Sequence, residues 1–324
     1  MKVNPLNDKT VVITGASSGA GRATALEFAK HHAILVLAGR NEAALNEVAD
    51  ECKVLGAQAF VVVTDVTDPK AMINLAHTAR DWQGKIDVWI NNAGVLAAGD
   101  FDSTPMEVHT RVITTNLLGY MHGVHAVLPI FKQQQYGTII NNISIGGFLP
   151  VPYGAGYTAS KFGLRGFSEA IKGELAGWPD IHVCDLFPAF LDTPGILHAG
   201  NYTGKLLKPA PPLSDPITVA QAMVGIARHP RSDKYVGSGA LLLKSAHAFF
   251  PELTTKITGR AMRKYFKQAD DMPATSGNLF NTVDYGMSMH GGFGLPARPK
   301  GRRKYVIAAL LAGMGVGLYL SRPK

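Results

Sequence analysis

In the stretch YTASK a tyrosine and a lysine stand four residues apart, Tyr157 and Lys161. Four residues is just over one helical turn, so in a helix both side chains lie on one face. A free tyrosine has a pKa of about 10 and is a poor base at neutral pH. A nearby ammonium favours the phenolate. Bringing the phenol near 7 takes a shift of roughly 3 units, or about 4 kcal/mol, which one close cation and hydrogen bonds could supply. Such a pair would give or take a proton. Standing alone, it is more often an ordinary helix face, so its meaning depends on what accompanies it.

A second chemical signal lies near the start, in TGASSGAGR from Thr14 to Arg22. Gly15, Gly19 and Gly21 space the turn as G-x-x-x-G-x-G. Small residues there let the backbone approach a pyrophosphate, and the following helix offers free N–H groups at its positive end. Further on, the second apolar run ends LAGRN. A site for a bare ribose usually places an acid at that point. Here Gly39 leaves room and Arg40 and Asn41 follow. A guanidinium matches a 2′-phosphate in charge and bidentate geometry, which favours NADP(H) over NAD(H).

These groups need a frame, and the chain alternates strand and helix patterns. Strands are expected at 10–14, 33–39, 57–65, 86–94, 137–144 and 181–188, with a short last one in KYVGSG. Helices are expected at 21–32, 41–56, 68–84, about 105–133, about 157–177 and 215–230. The strands are mostly continuous apolar runs, as in a parallel sheet buried on both faces. The predicted fold is α/β, a doubly wound parallel sheet of Rossmann type forming one domain, in which ligands sit beyond the carboxyl ends of the strands. Residues 192–214, rich in Pro, Gly and Thr, read as a long loop of the kind that forms lids. Its Ile196, Leu197, Leu206, Leu207 and Leu213 hint at an apolar ligand.

From about residue 241 the rhythm changes. Residues 1–240 form the predicted catalytic domain, 241–304 a basic helical and Gly/Pro-rich extension, and 305–320 an uncharged 16-residue run. Residues 1–240 carry 19 Lys/Arg against 20 Asp/Glu, and residues 241–324 carry 13 against 4, so the net charge of +8 resides in the tail. The tail contains no nucleic-acid module, and a basic segment beside an apolar one points to a membrane surface. As a helix, the run would be roughly 24 Å long against a hydrocarbon core of about 30 Å. Cations on both flanks and the small residues Ala309, Gly313 and Gly317 on one face agree with membrane association. The heavier basic flank precedes the run and places the main domain on the cytoplasmic side. The competing reading is a helix packed on the main domain. The opening residues lack the apolar run of a signal peptide, which predicts a cytosolic start. Cys52 and Cys184 form no disulfide framework and read as core residues. His122 and His125 lack an acidic or Cys partner at metal-ligand spacing, and no metal is assigned.

The sequence resembles the short-chain dehydrogenase/reductase family over roughly residues 8–240. The likeness rests on TGASSGAG at the first turn, DV at Asp65–Val66, NNAG at 91–94, Ser144 after the fifth strand, YTASK, and Asn116 in VITTNLLG. It implies a catalytic set of Asn116, Ser144, Tyr157 and Lys161. In that set Tyr157 moves the proton, Ser144 orients the substrate oxygen, Lys161 lowers the tyrosine pKa and contacts the nicotinamide ribose, and Asn116 holds a water leading from Lys161 to solvent. It implies cofactor contacts at Thr14, Gly15, Ser17, Ser18, Gly19, Gly21, Arg40, Asn41, Asp65, Val66, Asn91, Ala93, Gly94, Tyr157, Lys161, Pro188 and Thr193. Asp65 and Val66 would flank the adenine. The family's Pro-Gly after the sixth strand stands here as Pro188-Ala189, which puts the shape of the nicotinamide pocket in question. Members commonly pair as homodimers through the helices matching 105–133 and 157–177. The expected activity is NADP(H)-dependent interconversion of an alcohol and a carbonyl on an apolar, lipid-like small molecule. The alternatives are a non-catalytic NADP(H)-binding regulator and a membrane-tethered scaffold.

Overall fold

The computed structural model describes residues 6–237 and 239–294. The run 305–320, and with it the membrane helix expected there, lies outside the described residues. No helix among the described residues is long and apolar enough to cross a membrane.

Seven strands form one parallel sheet: β1 Thr10–Thr14, β2 Ile34–Gly39, β3 Gln58–Val63, β4 Val88–Asn91, β5 Gly137–Asn142, β6 Ile181–Pro188 and β7 Asp233–Val236. Their spatial order is β3-β2-β1-β4-β5-β6-β7, with all neighbours parallel. The order reverses between β1 and β4, and the cleft opens at that switch point. Successive side chains of the central strands serve opposite layers. Val11, Ile13, Leu35 and Leu37 join the core on one face, and Val12, Val36 and Ala38 the core on the other. The edge strand β3 departs from the doubly buried pattern. It has a partner on one side only, and its Phe60 and Val63 stay exposed.

The helices are α1 Gly19–Ala29, α2 Glu42–Val54, α3 Pro69–Gln83, α4 Met106–Ile113, α5 Gly119–Gln134, α6 Ala155–Glu174, α7 Pro216–Arg228, α8 Ala240–Phe249 and α9 Pro251–Gln268. Helices α1, α2 and α7 cover the first face, while α3, α5 and α6 cover the second. Local chemistry sets several of the ends. The Asn41 side chain accepts from the Ala44 N–H, and Asp68 and Asp215 cap α3 and α7, each followed by Pro. Gly84 ends α3 in the left-handed region.

The single helix expected over 105–133 is broken. Between α4 and α5 the chain makes a π-turn at Thr114–Leu118, which contains Asn116. A π-turn carries one extra residue per turn and is a frequent mark of functional sites. Residues 241–293 lie in the same compact unit as the sheet, in spite of their different composition. After α9 the chain runs without regular structure across the carboxyl end of the sheet.

Candidate active site

A cleft of about 990 Å³ opens along the carboxyl ends of β1, β2, β4, β5 and β6. At one end the glycine turn forms its floor. A Cβ on Gly21 would lie 2.0 Å from the Gly15 carbonyl oxygen, and one on Gly15 would lie 2.7 Å from Ala93 Cα. Gly15 and Gly19 also adopt φ of +64° and +54°, where a side chain is strained. The cradle is therefore tight enough that only glycine permits the backbone path. Ser18 is the N-cap of α1, yet its side chain makes no capping bond. These residues fit a dinucleotide: a narrow backbone turn, a helix N-terminus and a long cleft beside it.

Ser144, Tyr157 and Lys161 converge at the other end of the cleft. Ser144 follows β5 with φ +91° and ψ 155°, a backbone state costly for a residue with a side chain. Its Oγ accepts from the Gly146 N–H at 3.2 Å. Gly146 must be small as well, because a Cβ there would lie 2.9 Å from Tyr157 Cε1. Tyr157 and Lys161 sit on α6, as the four-residue spacing required. The Tyr157 hydroxyl is hydrogen-bonded with the Ser144 side chain. Lys161 Nζ donates to the Asn142 carbonyl at 3.3 Å and stands 5.8 Å from the Tyr157 ring centre and 5.2 Å from that of Tyr120.

The electrostatics differ from the expectation that Lys161 lowers the Tyr157 pKa. Burial pushes the phenol up, and the bond with Ser144 opposes that only in part. Burial pulls Lys161 down to about 7. The reason is common to both groups: each loses water on entering the protein, and among the described residues no carboxylate holds the ammonium charged. A lysine poised to lose its proton is a weak stabiliser of a phenolate. A raised phenol pKa favours the protonated form, which could donate.

This has a consequence for stability. The folded pKa of Lys161 is about 7 and its ordinary value is 10.5. Between those values the unfolded chain binds more protons, so stability rises with pH. Below about 7 the full cost of burying the charge remains. Lys161→Met removes this titration. In thermal melts from pH 6 to 10, its stability should climb less with pH than the wild type's. Parallel curves would show that Lys161 keeps an ordinary pKa.

The Asn116 side chain is tied to its neighbours. Its Oδ1 accepts from the Val95 N–H at 2.8 Å, and its Nδ2 donates to the Val95 carbonyl at 2.8 Å and to Ser160 Oγ at 3.3 Å. Both amide donors are spent inside the protein. The side chain clamps the segment after β4 to α6 and thus positions the floor of the site.

Of the expected cofactor residues, Gly15, Ser17, Ser18, Gly19, Gly21, Arg40, Asn41, Asp65, Val66, Ala93, Gly94, Pro188 and Thr193 line the cleft, as do Tyr157 and Lys161. Thr14 and Asn91 do not. Thr14 Oγ1 accepts from the N–H groups of Asn92 and Ala93, so it joins β1 to the loop after β4. Asn91 is buried, accepts from Trp89 Nε1 and donates to Asn141. Strand alternation explains the exchange, since β4 turns Asn91 into the core and the next residue outward. Asn92 lines the cleft in its place. It donates to the Thr14 and Gly15 carbonyls and accepts from Asn142. Ala189 is not among the residues with left-handed backbone, so the methyl in place of the family's glycine costs no strain.

Other site residues escaped the sequence reading. Arg111 of α4 pairs with Asp65 at 3.0 Å and donates to Thr67, and the partners bring the Asp65 pKa below the usual carboxylate range in spite of burial. At the mouth, α9 contributes Thr258, Ala261, Met262, Tyr265 and Phe266. Of the five apolar residues noted in the 192–214 loop, Ile196 and Leu207 face the cleft.

The geometry agrees with comparisons to known proteins. The sequence model of the short chain dehydrogenase family matches residues 9–198. The chain is 34% identical to the uncharacterized oxidoreductase YxnA of Bacillus subtilis (strain 168) over 295 residues, covering 90% of this chain and 82% of that protein. It is 35% identical to mouse 17-beta-hydroxysteroid dehydrogenase 13 over 187 residues, covering 57% and 62% of the two chains. Among solved structures it resembles an alcohol dehydrogenase from the archaeon Thermococcus sibiricus complexed with 5-hydroxy-NADP. That similarity has a TM-score of 0.62 and 26% identity, and covers 71% of this chain and 96% of that one.

Proposed function

The chain belongs to the short-chain dehydrogenase/reductase family, and on that premise we propose that it reduces a carbonyl, or oxidises the matching alcohol, on an apolar small molecule with NADP(H). The observation that carries this reading is the convergence of Ser144, Tyr157 and Lys161 in one cleft with the glycine cradle. A bound nicotinamide supplies the hydride. Tyr157, as a phenol, donates its proton to the substrate oxygen. Ser144 holds the same oxygen and fixes its distance from the tyrosine. Lys161 and Asn116 keep α6 and the loop after β4 in place around them.

Arg40 supports the preference for NADP(H), as does the NADP derivative carried by the archaeal relative. The apolar substrate class is supported by Leu149, Val151, Phe190, Ile196, Leu207 and Met262 along the open half of the cleft. It is supported too by the steroid named for the mouse relative. Purified protein assayed on a panel of aldehydes and ketones, following NADPH absorbance, tests the reading. Turnover of the apolar members is expected, and no turnover of any member would favour a cofactor-binding regulator.

The dimer reading rests on Leu118, Met121 and Phe162, which are exposed on the helices the family uses for pairing. The membrane reading has support apart from 305–320. Leu241, Leu242, Phe249, Phe250, Leu253 and Ile257 are exposed on α8 and α9, next to the exposed cations Lys256, Arg260, Arg263, Lys264 and Lys267. Apolar side chains rimmed by cations suit an anionic bilayer surface. The full chain should sediment with vesicles containing phosphatidylserine more than with phosphatidylcholine alone. Replacing Phe249 and Phe250 by Ser should weaken that binding. Equal recovery from both vesicle types would count against it.

A further inference from the structure

Residues 275–293 run beside the glycine-turn end of the cleft, and side chains and backbone of the turns after β1 and β2 hold them there. Arg40 donates from its terminal nitrogens to the carbonyls of Asn278, Leu279 and Phe280 at 2.5, 3.3 and 3.4 Å. Asn41 Nδ2 donates to the Val283 carbonyl at 3.3 Å, and Arg22 to that of Met287 at 2.8 Å. The Gly19 N–H, at the positive end of α1, donates to the Ser288 carbonyl at 3.0 Å. The family match ends at residue 198, so these contacts come from outside it.

The two ends of the segment are anchored independently of the glycine turn. Thr275 pairs with Asn201 through both backbone bonds, and the Gly291 and Phe293 N–H groups donate to Asp192. Leu279 is fully buried with Val95, Val108 and Val112. The His198 ring donates to the Tyr285 carbonyl at 2.9 Å. Between these anchors the contacts are carbonyl oxygens on cationic or N–H donors, the same donors that suit phosphate oxygens. Asn278, Val283 and Met287 line the cleft.

We propose that residues 275–293 are a strap that closes over the adenosine half of the bound dinucleotide, with Arg40 serving both as its latch and as the phosphate partner. The inference rests on the NADP(H) reading above. A guanidinium has five N–H donors. Three bonds to the strap leave two for a phosphate, so Arg40 can hold strap and cofactor together. Arg40 is partly buried and shares Asp65 with Arg111, so one carboxylate serves two guanidinium groups, and a phosphate would supply further negative charge. Entry and exit of the cofactor then require the middle of the strap to lift while its ends hold.

Hydrogen–deuterium exchange on the full chain tests this, read in peptides covering 278–291 without nucleotide, with NADPH and with NADH. Saturating NADPH should slow exchange there by about tenfold or more, the size expected from one or two added hydrogen bonds. In nucleotide-free protein, Arg40→Ala should speed exchange at 278–283. A guanidinium that served the phosphate alone would leave it unchanged. A Cβ on Gly277, whose φ is +53°, would lie 2.2 Å from the His198 carbonyl oxygen. Gly277→Val should therefore unseat the strap and raise the NADPH dissociation rate by about tenfold, read by nucleotide fluorescence. NADPH binding with unchanged or faster exchange at 278–291 overturns the strap and leaves the oxidoreductase reading standing. Binding of neither nucleotide overturns both.

Discussion

Tyr157→Phe is expected to lower kcat by at least about 10²-fold, the lower range for loss of a general acid. The substitution removes one oxygen. The ring stays packed near Val95, Val108 and Leu279, so the cleft keeps its shape. Ser144 loses its hydroxyl partner but retains the bond from the Gly146 N–H. Nothing in the glycine turn touches the missing atom, and NADPH affinity should remain within about twofold, a change under 0.5 kcal/mol. Stopped-flow turnover and fluorescence titration separate the two quantities. Retained turnover in the variant would mean that another group moves the proton.

The next largest effect is expected from Arg40→Asp. The wild-type guanidinium suits a 2′-phosphate, and a carboxylate there repels the phosphate and accepts from a ribose hydroxyl instead. A hydrogen bond to a charged group is worth about 1.5–3 kcal/mol. The ratio of kcat/KM for NADPH over NADH should therefore fall by roughly tenfold to a hundredfold. Because Arg40 also holds three strap carbonyls, binding of both nucleotides should loosen, and the ratio isolates the phosphate. A wild type that already favours NADH would refute the assignment of Arg40.

Residues with local requirements were the ones legible in the chain. The glycine turn and the i, i+4 pair Tyr157 and Lys161 each declare themselves within a few positions. The parallel sheet was legible because strands buried on both faces are apolar throughout, and β6 ran over 181–188 as expected. Ambiguity began where one position faces two ways. NNAG marks the end of β4, but which asparagine faces the cleft follows from the pleat, and the pleat turns Asn91 inward to Trp89 and Asn141. The π-turn at Asn116 has no sequence signature, and the Val95 and Ser160 partners of its side chain are brought there only by the fold.

The sequence by itself determined the alternating α/β order, the glycine cradle, the proton-moving pair and an arginine at the end of β2. It carried these because each depends on residue types close together in the chain. Only the tertiary structure decided the rest. Burial from several elements at once shifts the pKa of Tyr157 up and that of Lys161 down, an effect that the spacing alone does not carry. Residues 275–293 had no legible role, because their contacts with Gly19, Arg22 and Arg40 run through backbone carbonyls, which every residue possesses. A carbonyl leaves no mark on composition or periodicity, so the strap becomes visible only when the chain has folded back more than two hundred residues onto its first two strands.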